Sequence, residues 1–126
     1  MRRMKVEKRR HVRYRTCDKV FAALGERFSK VGRVKDISAG GLAFEYIIDQ
    51  WPSNDLTRVD IFVTGNSFHI SKIPCRLVYD IIVPVPGNLI TLTPDLRPKR
   101  CGVKFVGLTE EQILQIYALI DRYAMK

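Results

Sequence analysis

Apolar and polar residues alternate in short runs along most of this chain, which is the pattern of strands that bury one face. Glycine, proline and other turn-forming residues separate the runs. The predicted strands lie, in chain order, at 20–24, 31–37, 42–48, 59–63, 68–83 and 102–106, the fifth as one strand or two. Pro74 predicts a bulge or break in the fifth, and 89–92 predicts a short additional strand.

The C-terminal segment has the spacing of an amphipathic helix, predicted over residues 109–125. Thr109 and Gln112 stand at the positions of a capping box, and Leu108 with Ile113 at those of a hydrophobic staple. The apolar face predicted to pack on the strands consists of Ile113, Ile116, Tyr117, Ile120 and Ala124. Short strands followed by one such helix indicate a mainly β fold, an antiparallel barrel or tight sandwich with the helix against one opening.

Length and composition indicate one globular domain, because the chain has 126 residues of which 46% are hydrophobic. No apolar run approaches the roughly 18–20 residues of a membrane-spanning helix, and no secretory signal follows the basic N-terminus. We therefore expect a soluble, cytoplasmic protein. The three cysteines, Cys17, Cys75 and Cys101, lack CxxC spacing, so neither a disulfide framework nor a zinc site is predicted.

Positive charge is concentrated at the N-terminus. The net charge is +9, and residues 1–16 hold eight basic side chains and one acidic one. Such a field attracts phosphate groups, whether in a nucleic acid, a nucleotide or a lipid. We predict that residues 1–16 form a flexible basic arm and that residues 17–126 form the domain. A solvated tail without a specific ligand would have the same composition.

Two short motifs carry residues suited to a nucleotide. The arm contains RxxxR at Arg9 and Arg13, whose guanidinium forks suit phosphate oxygens, the O6 and N7 atoms of guanine, and stacking on a base. Residues 36–41 read DxSxxG, in which the Asp36 carboxylate matches the donor edge of guanine and the Ser38 hydroxyl can donate to phosphate. Taken singly, each motif is also ordinary, the first as a basic tail and the second as a turn.

In combination, the motifs resemble those of the PilZ domain family, receptors for the bacterial second messenger cyclic di-GMP. Asp36 lies 23 residues after Arg13, and the stretches RLVY at 76–79 and CGVKF at 101–105 follow in the family's order. The resemblance therefore covers nearly the whole chain. It implies a small antiparallel six-stranded β-barrel with a C-terminal helix. The sequence shows no P-loop, paired acids or metal-ligating cluster, so we expect a binding protein and not an enzyme.

For the arm, the resemblance implies that Arg9 and Arg13 bind the phosphates and stack on or hydrogen-bond a guanine base. Arg10 is similar to the additional arginine often present beside the motif. The residue before RxxxR influences, in the family, whether one ligand or a stacked pair binds, and Lys8 here favours the pair. Binding would order the arm, and a separate effector protein would respond to the new surface.

For the domain, the resemblance implies that Asp36 and Ser38 hold one guanine and its neighbouring phosphate, with Gly41 allowing close approach. Some members carry an aromatic residue on a later strand that stacks on a base, and Tyr79 is the candidate here. A tyrosine packed on its own strand is the structural alternative. No cofactor is predicted besides the ligand itself.

Two other functions fit parts of the sequence. A nucleic-acid-binding protein would use the basic arm, but the Asp36 carboxylate would repel phosphates, so we do not expect a nucleic-acid partner. A PilZ-like scaffold that no longer binds ligand would act through protein contacts alone, although the complete motifs argue against it.

Overall fold

The computed structural model describes residues 11–46, 56–83 and 98–125. The strands in these ranges are β1 (Tyr14–Thr16), β2 (Val20–Leu24), β3 (Lys30–Ser38), β4 (Gly41–Tyr46), β5 (Leu56–Val63), β6 (His69–Ile82), β7 (Lys99–Phe105) and β8 (Ala124–Met125). The helix α1 spans Glu110–Tyr123. The strand predicted at 89–92 lies outside the described residues, as do residues 1–10 of the predicted arm. The last three residues of that arm, 14–16, form β1.

Six antiparallel strands close into a barrel. They follow the order β2-β5-β6-β7-β4-β3, and β3 returns to pair with β2. This confirms the predicted mainly β fold with a six-stranded barrel and a C-terminal helix. Alternate residues of the strands are buried inside, and the largest apolar ones are Phe44, Leu24, Ile37, Ile61, Ile70 and Ile73. Closure pairs the strands on both sides, which makes the barrel a rigid support for a site on its surface.

A two-stranded ribbon extends the sheet beside β3. β1 pairs with β3 through Tyr14 with Ile37 and Arg15 with Asp36, and β8 pairs with the other edge of β1. The backbone N–H of Cys17 donates to the carbonyl of Tyr123 over 3.0 Å. The last residues of the arm are thus placed between the strand that carries DxSxxG and the strand that follows α1.

Strand β6 runs without interruption through Pro74, so the predicted bulge or break at that residue is wrong. Pro74 pairs with Arg58, and its carbonyl accepts the N–H of Val106 over 2.9 Å. The missing N–H of a proline disrupts a strand only where the ladder needs that donor. The register of β6 shifts instead against β5 near Lys72, which has a φ of 55°, and against β7 at Val78.

Helix α1 begins with the predicted capping box. The Thr109 hydroxyl accepts the N–H of Gln112 over 3.0 Å, and the Gln112 side-chain oxygen accepts the N–H of Thr109 over 3.1 Å. The side-chain nitrogen of Gln112 also donates to the carbonyls of Ser71 and Lys72, each over 3.2 Å. One residue therefore caps the helix and fastens its start to the irregular part of β6.

The buried face of α1 differs in part from the predicted one. It consists of Ile116, Leu119 and Ile120. Ile113 and Tyr117, which the apolar pattern also assigned to it, are 39% and 55% exposed. A small barrel covers only part of the surface of a helix that packs on it. The apolar periodicity therefore predicted a wider buried face than the barrel covers, and the observed buried face is centred nearer Leu119.

The cysteines behave as strand and core residues. None forms a disulfide bond, and Cys75 and Cys101 are buried in β6 and β7. Burial raises the pKa of the Cys75 thiol to about 12, so this group stays protonated. Within the three described ranges, no helix has the length and apolar character needed to cross a membrane.

Candidate functional site

A cleft of about 740 Å³ lies at the barrel surface, bordered by the β3–β4 turn, β7 and the start of α1. Its floor is a row of residues paired across neighbouring strands: Tyr79 of β6, Gly102 of β7, Ala43 of β4 and Asp36 of β3. The two small residues in the middle are buried, and the ring of Tyr79 lies over Gly102. We call this the main cleft, and its volume falls in the range of about 300–1,000 Å³ common to ligand sites.

The two sequence motifs meet in the main cleft. Arg13 precedes β1 and Asp36 lies on the adjacent β3, and the Nη1 atom of the first is 4.0 Å from the Oδ1 atom of the second. Their side chains are 42% and 25% exposed, so both remain accessible to a ligand. An ion pair this open to water adds little to stability. What it provides is a donor fork and an acceptor side by side.

Ser38 and Gly41 shape the turn between β3 and β4. The Ser38 hydroxyl accepts the N–H of Gly40 over 3.1 Å and donates to the carbonyl of Gly41 over 3.4 Å. A Cβ on Gly41 would lie 2.3 Å from the carbonyl oxygen of Val103, and the residue does not have a left-handed φ. The close approach of β7 thus requires glycine here, a reason different from the ligand approach that the sequence suggested.

Tyr79 forms the opposite side of the main cleft. A Cβ on Gly102 would lie 2.3 Å from Cε2 and 2.6 Å from Cζ of Tyr79, so the ring lies directly against the glycine backbone. Burial raises the pKa of Tyr79, and the nearby Asp36 carboxylate raises it further. The guanidinium groups of Arg100 and Arg13 lower it. Tyr79 is therefore a neutral phenol in the same electrostatic neighbourhood as the two motifs.

A second cleft, of about 520 Å³, adjoins the main cleft across Asp36. Its basic side chains are Arg15, Arg33, Lys35 and Arg100. The Nη2 and Nε atoms of Arg100 donate to Oε2 of Glu45 over 2.6 and 3.2 Å, and this hydrogen bonding raises the pKa of Arg100. The second cleft extends a positive field to the border of the main cleft.

Every predicted ligand residue that the structure describes lines the main cleft; they are Arg13, Asp36, Ser38, Gly41 and Tyr79. Arg9 and Arg10 lie outside the described residues. The cleft also contains His11, Gly102 and Lys104, which the sequence did not single out. The position of His11 inside RxxxR was the one available signal for it. The other two are brought in by strand pairing, Lys104 opposite Gly41 and Gly102 opposite Tyr79.

The chemistry of the main cleft suits a planar, phosphate-bearing molecule. It offers a guanidinium fork for anionic oxygens, a carboxylate for N–H donors, a hydroxyl and an aromatic ring. In the part of the chain that the structure describes, no group of three or more His, Cys, Asp or Glu side chains is close enough to hold a metal ion.

Comparison with known proteins bears on the family and the fold of the chain. The family model described as the PilZ domain matches residues 7–122. Among solved structures, MrkH of K. pneumonia in its complex with c-di-GMP is similar with a TM-score of 0.67 and 17% identity, over 91% of this chain and 52% of that one. The PilZ domain of YcgR from Escherichia coli with c-di-GMP is similar with a TM-score of 0.64 and 17% identity, over 91% and 93%.

The chain spans about half the length of MrkH but nearly all of the YcgR PilZ domain. At 17% identity these likenesses show a shared fold. No match was found among curated proteins.

Proposed function

This chain belongs to the PilZ domain family, and we propose that it binds cyclic di-GMP in the main cleft through RxxxR and DxSxxG. One observation carries the proposal: Arg13, Asp36 and Tyr79, which are distant in sequence, line the same cleft. The structures of MrkH and of the YcgR PilZ domain, each with c-di-GMP, support it.

The arm supplies the cationic contacts in this proposal. The guanidinium groups of Arg9 and Arg13 bind the ligand phosphates, and each can pair with O6 and N7 of guanine or stack on the base. Arg10 adds a further fork. The loose pairing of Arg13 with Asp36 at 4.0 Å means that Arg13 can turn to the ligand with little loss of stability.

The barrel supplies the contacts that select guanine. The Asp36 carboxylate accepts from the N1–H and N2–H₂ groups of one base, which adenine does not offer in that arrangement. Ser38 donates to the neighbouring phosphate when its weak 3.4 Å bond to the Gly41 carbonyl is exchanged. Gly41 keeps the turn close to the ligand, and the ring of Tyr79 stacks on a base, a contact worth about 1–3 kcal/mol.

Calorimetric titration with cyclic di-GMP tests the proposal. We expect the wild type to bind, and Arg13→Ala and Asp36→Ala to bind about 30–100-fold more weakly, because each change leaves a charged or polar group of the ligand unpaired. Arg58→Ala is the matched control, since it removes an exposed arginine that pairs with Glu26 and does not line the main cleft. It should bind like the wild type.

Undetectable binding by the wild type, or undiminished binding by Arg13→Ala, would disprove the proposal. The same titration gives the stoichiometry. Two ligands per chain would agree with a role of Lys8 in favouring a stacked pair.

We further propose that binding orders the arm (residues 1–16) on the barrel domain (residues 17–126) and that a separate effector protein in the cytoplasm responds to it. The pairing of β1 with both β3 and β8 supports this relay, because the arm leads into a ribbon that joins the site to the end of α1. We expect no turnover of the ligand.

Hydrogen exchange of the amides of β1 and β8, with and without cyclic di-GMP, tests the relay. Slower exchange in both strands is expected when ligand is bound. Unchanged exchange in the ribbon, together with intact binding, would contradict the relay and leave the binding proposal in place.

Nucleic-acid binding is the second candidate, and the basic side chains of the second cleft favour it. It predicts affinity that falls steeply with salt, and no loss on Asp36→Ala, because that change removes a carboxylate that repels phosphates. A gel shift of a DNA or RNA duplex with the wild type and Asp36→Ala distinguishes it from the first candidate. A scaffold that binds no ligand would give no heat with cyclic di-GMP at all.

A further inference from the structure

The main cleft contains a contact between unspecified positions of the two motifs, His11 within RxxxR and Gly40 within DxSxxG. The ring of His11 lies directly on the backbone of Gly40, so that a Cβ on Gly40 would be 2.4 Å from Cδ2 and 3.1 Å from Nε2 of the ring. Gly40 does not have a left-handed φ, so its backbone conformation does not demand glycine. Glycine is required at this position because the His11 ring occupies the space that a Cβ would need.

This contact lies just beyond the end of β1 and involves the turn that follows β3. Tyr14 pairs with Ile37 in the antiparallel register of β1 and β3. His11 lies three residues before Tyr14, and Gly40 lies in the turn three residues after Ile37, so the ring contact is a second attachment of this segment beside the strand pairing. The stretch between His11 and Tyr14, which contains Arg13, is therefore held at both of its ends.

We propose that His11 is a positioning residue for the ligand: its ring, seated on Gly40, keeps the end of RxxxR in register with DxSxxG before ligand arrives. Arg13 is then already beside Asp36, at 4.0 Å, and the ordering of the arm proposed above starts from this held end. Interactions formed in advance improve affinity because less conformational freedom is lost on binding. This proposal rests on the proposed function for its effect on ligand, while the contact itself stands without it.

The contact can be measured in the protein without ligand. An aromatic ring lying on a glycine shifts the NMR signals of its α-protons, so His11→Ala should move the Gly40 α-proton signals toward those of a glycine in an open turn. The α-proton signals of Gly65 serve as the internal control and should not shift. Gly65 lies in the β5–β6 turn, and no atom lies within 4 Å of a Cβ built on it. Unchanged Gly40 signals would overturn the proposal.

The effect on ligand is measured by calorimetric titration of cyclic di-GMP into His11→Ala, Gly40→Ala and the double variant. Each single change should weaken binding about five- to tenfold, and the double variant should bind no more weakly than the weaker single one, because both remove the same contact. His11→Phe, which keeps a flat ring, should restore most of the affinity. His69→Ala is the control, because it removes the other histidine, which pairs with Asp60 away from the main cleft.

Multiplied losses in the double variant, or wild-type affinity for Gly40→Ala, would overturn the positioning role even where wild-type binding confirms the proposed function. A wild type that binds no cyclic di-GMP would instead refute the proposed function, and with it the effect on ligand, while the NMR result still decides whether the contact exists.

Discussion

Two turns of the barrel use the same local chemistry and have different surroundings. Between β3 and β4, the Ser38 hydroxyl accepts the N–H of Gly40 over 3.1 Å, and between β5 and β6, the Asn66 side-chain oxygen accepts the N–H of Phe68 over 2.7 Å. Glycine occurs at both turns: Gly40 in the first, followed by Gly41 at the start of β4, and Gly65 in the second. A side-chain acceptor with glycine is thus a turn signal in both places, and it says nothing about a ligand.

The surroundings of the two glycines separate the turns. Gly65 has a φ of 89° and no atom within 4 Å of a Cβ built on it, so backbone conformation alone selects glycine there. Gly41 has no left-handed φ, but a Cβ built on it would lie 2.3 Å from the carbonyl oxygen of Val103. The β3–β4 turn is packed against β7 and the arm at its glycines, whereas the β5–β6 turn is open at Gly65 and contacts α1 only through neighbouring side chains. A turn becomes part of a site through what packs on it.

The largest expected difference between the turns is in stability. Gly41→Ala should lower the free energy of unfolding by about 2–3 kcal/mol, because a methyl group would collide with the backbone of β7. Gly65→Ala should cost only about 1 kcal/mol, the strain of a left-handed alanine. Urea denaturation of the two variants beside the wild type measures both. Equal losses would show that the packing difference has no energetic weight.

A smaller and more selective difference is expected for the side chains that close the turns. Ser38→Ala and Asn66→Ala should each lower the free energy of unfolding by about 1 kcal/mol, because each removes an acceptor from a backbone N–H. Of the two variants, only Ser38→Ala should also weaken the binding of cyclic di-GMP. Thermal unfolding and calorimetric titration of both variants check this, and weaker ligand binding by Asn66→Ala would remove the distinction between the turns.

The smallest effect is expected at the second turn's link to the helix. The Asn66 side-chain nitrogen donates to the Tyr123 hydroxyl over 2.9 Å, an exposed bond. Tyr123→Phe should therefore cost about 0.5 kcal/mol, near the lower limit for a single hydrogen bond, and should leave ligand affinity unchanged. A loss of several kcal/mol in thermal unfolding would mean that this turn is fastened as firmly as the first.

Local patterns predicted the elements whose causes are local. The capping box of Thr109 and Gln112 joins residues three positions apart, so the sequence alone predicted it. The burial of Leu119 was not, because it depends on how the barrel meets the helix. Pro74 misled for a similar reason: whether a strand tolerates proline depends on which backbone groups its neighbours use.

The candidate site divides in the same way. Arg13, Asp36 and Ser38 were found because they stand in two short motifs, and the structure places them together. Gly102 and Lys104 could not be found, because their places depend on β7 lying between β4 and β6, a fact of sheet order and not of spacing. Tyr79 is the intermediate case, chosen through the family resemblance and placed in the cleft by its pairing with Gly102.

The ribbon of β1 and β8 has a mechanical consequence. The two strands are antiparallel, so the N-terminal end of β1 lies beside the C-terminal end of β8, with Arg15 opposite Met125. Tension applied at these neighbouring ends would load the hydrogen bonds one after another, in a peeling geometry that resists little force. Peeling would reach Thr16, whose hydroxyl donates to the Val34 carbonyl over 2.6 Å in a buried position. Force applied to the arm would thus separate the strands of the ribbon first, and the closed barrel would stay folded.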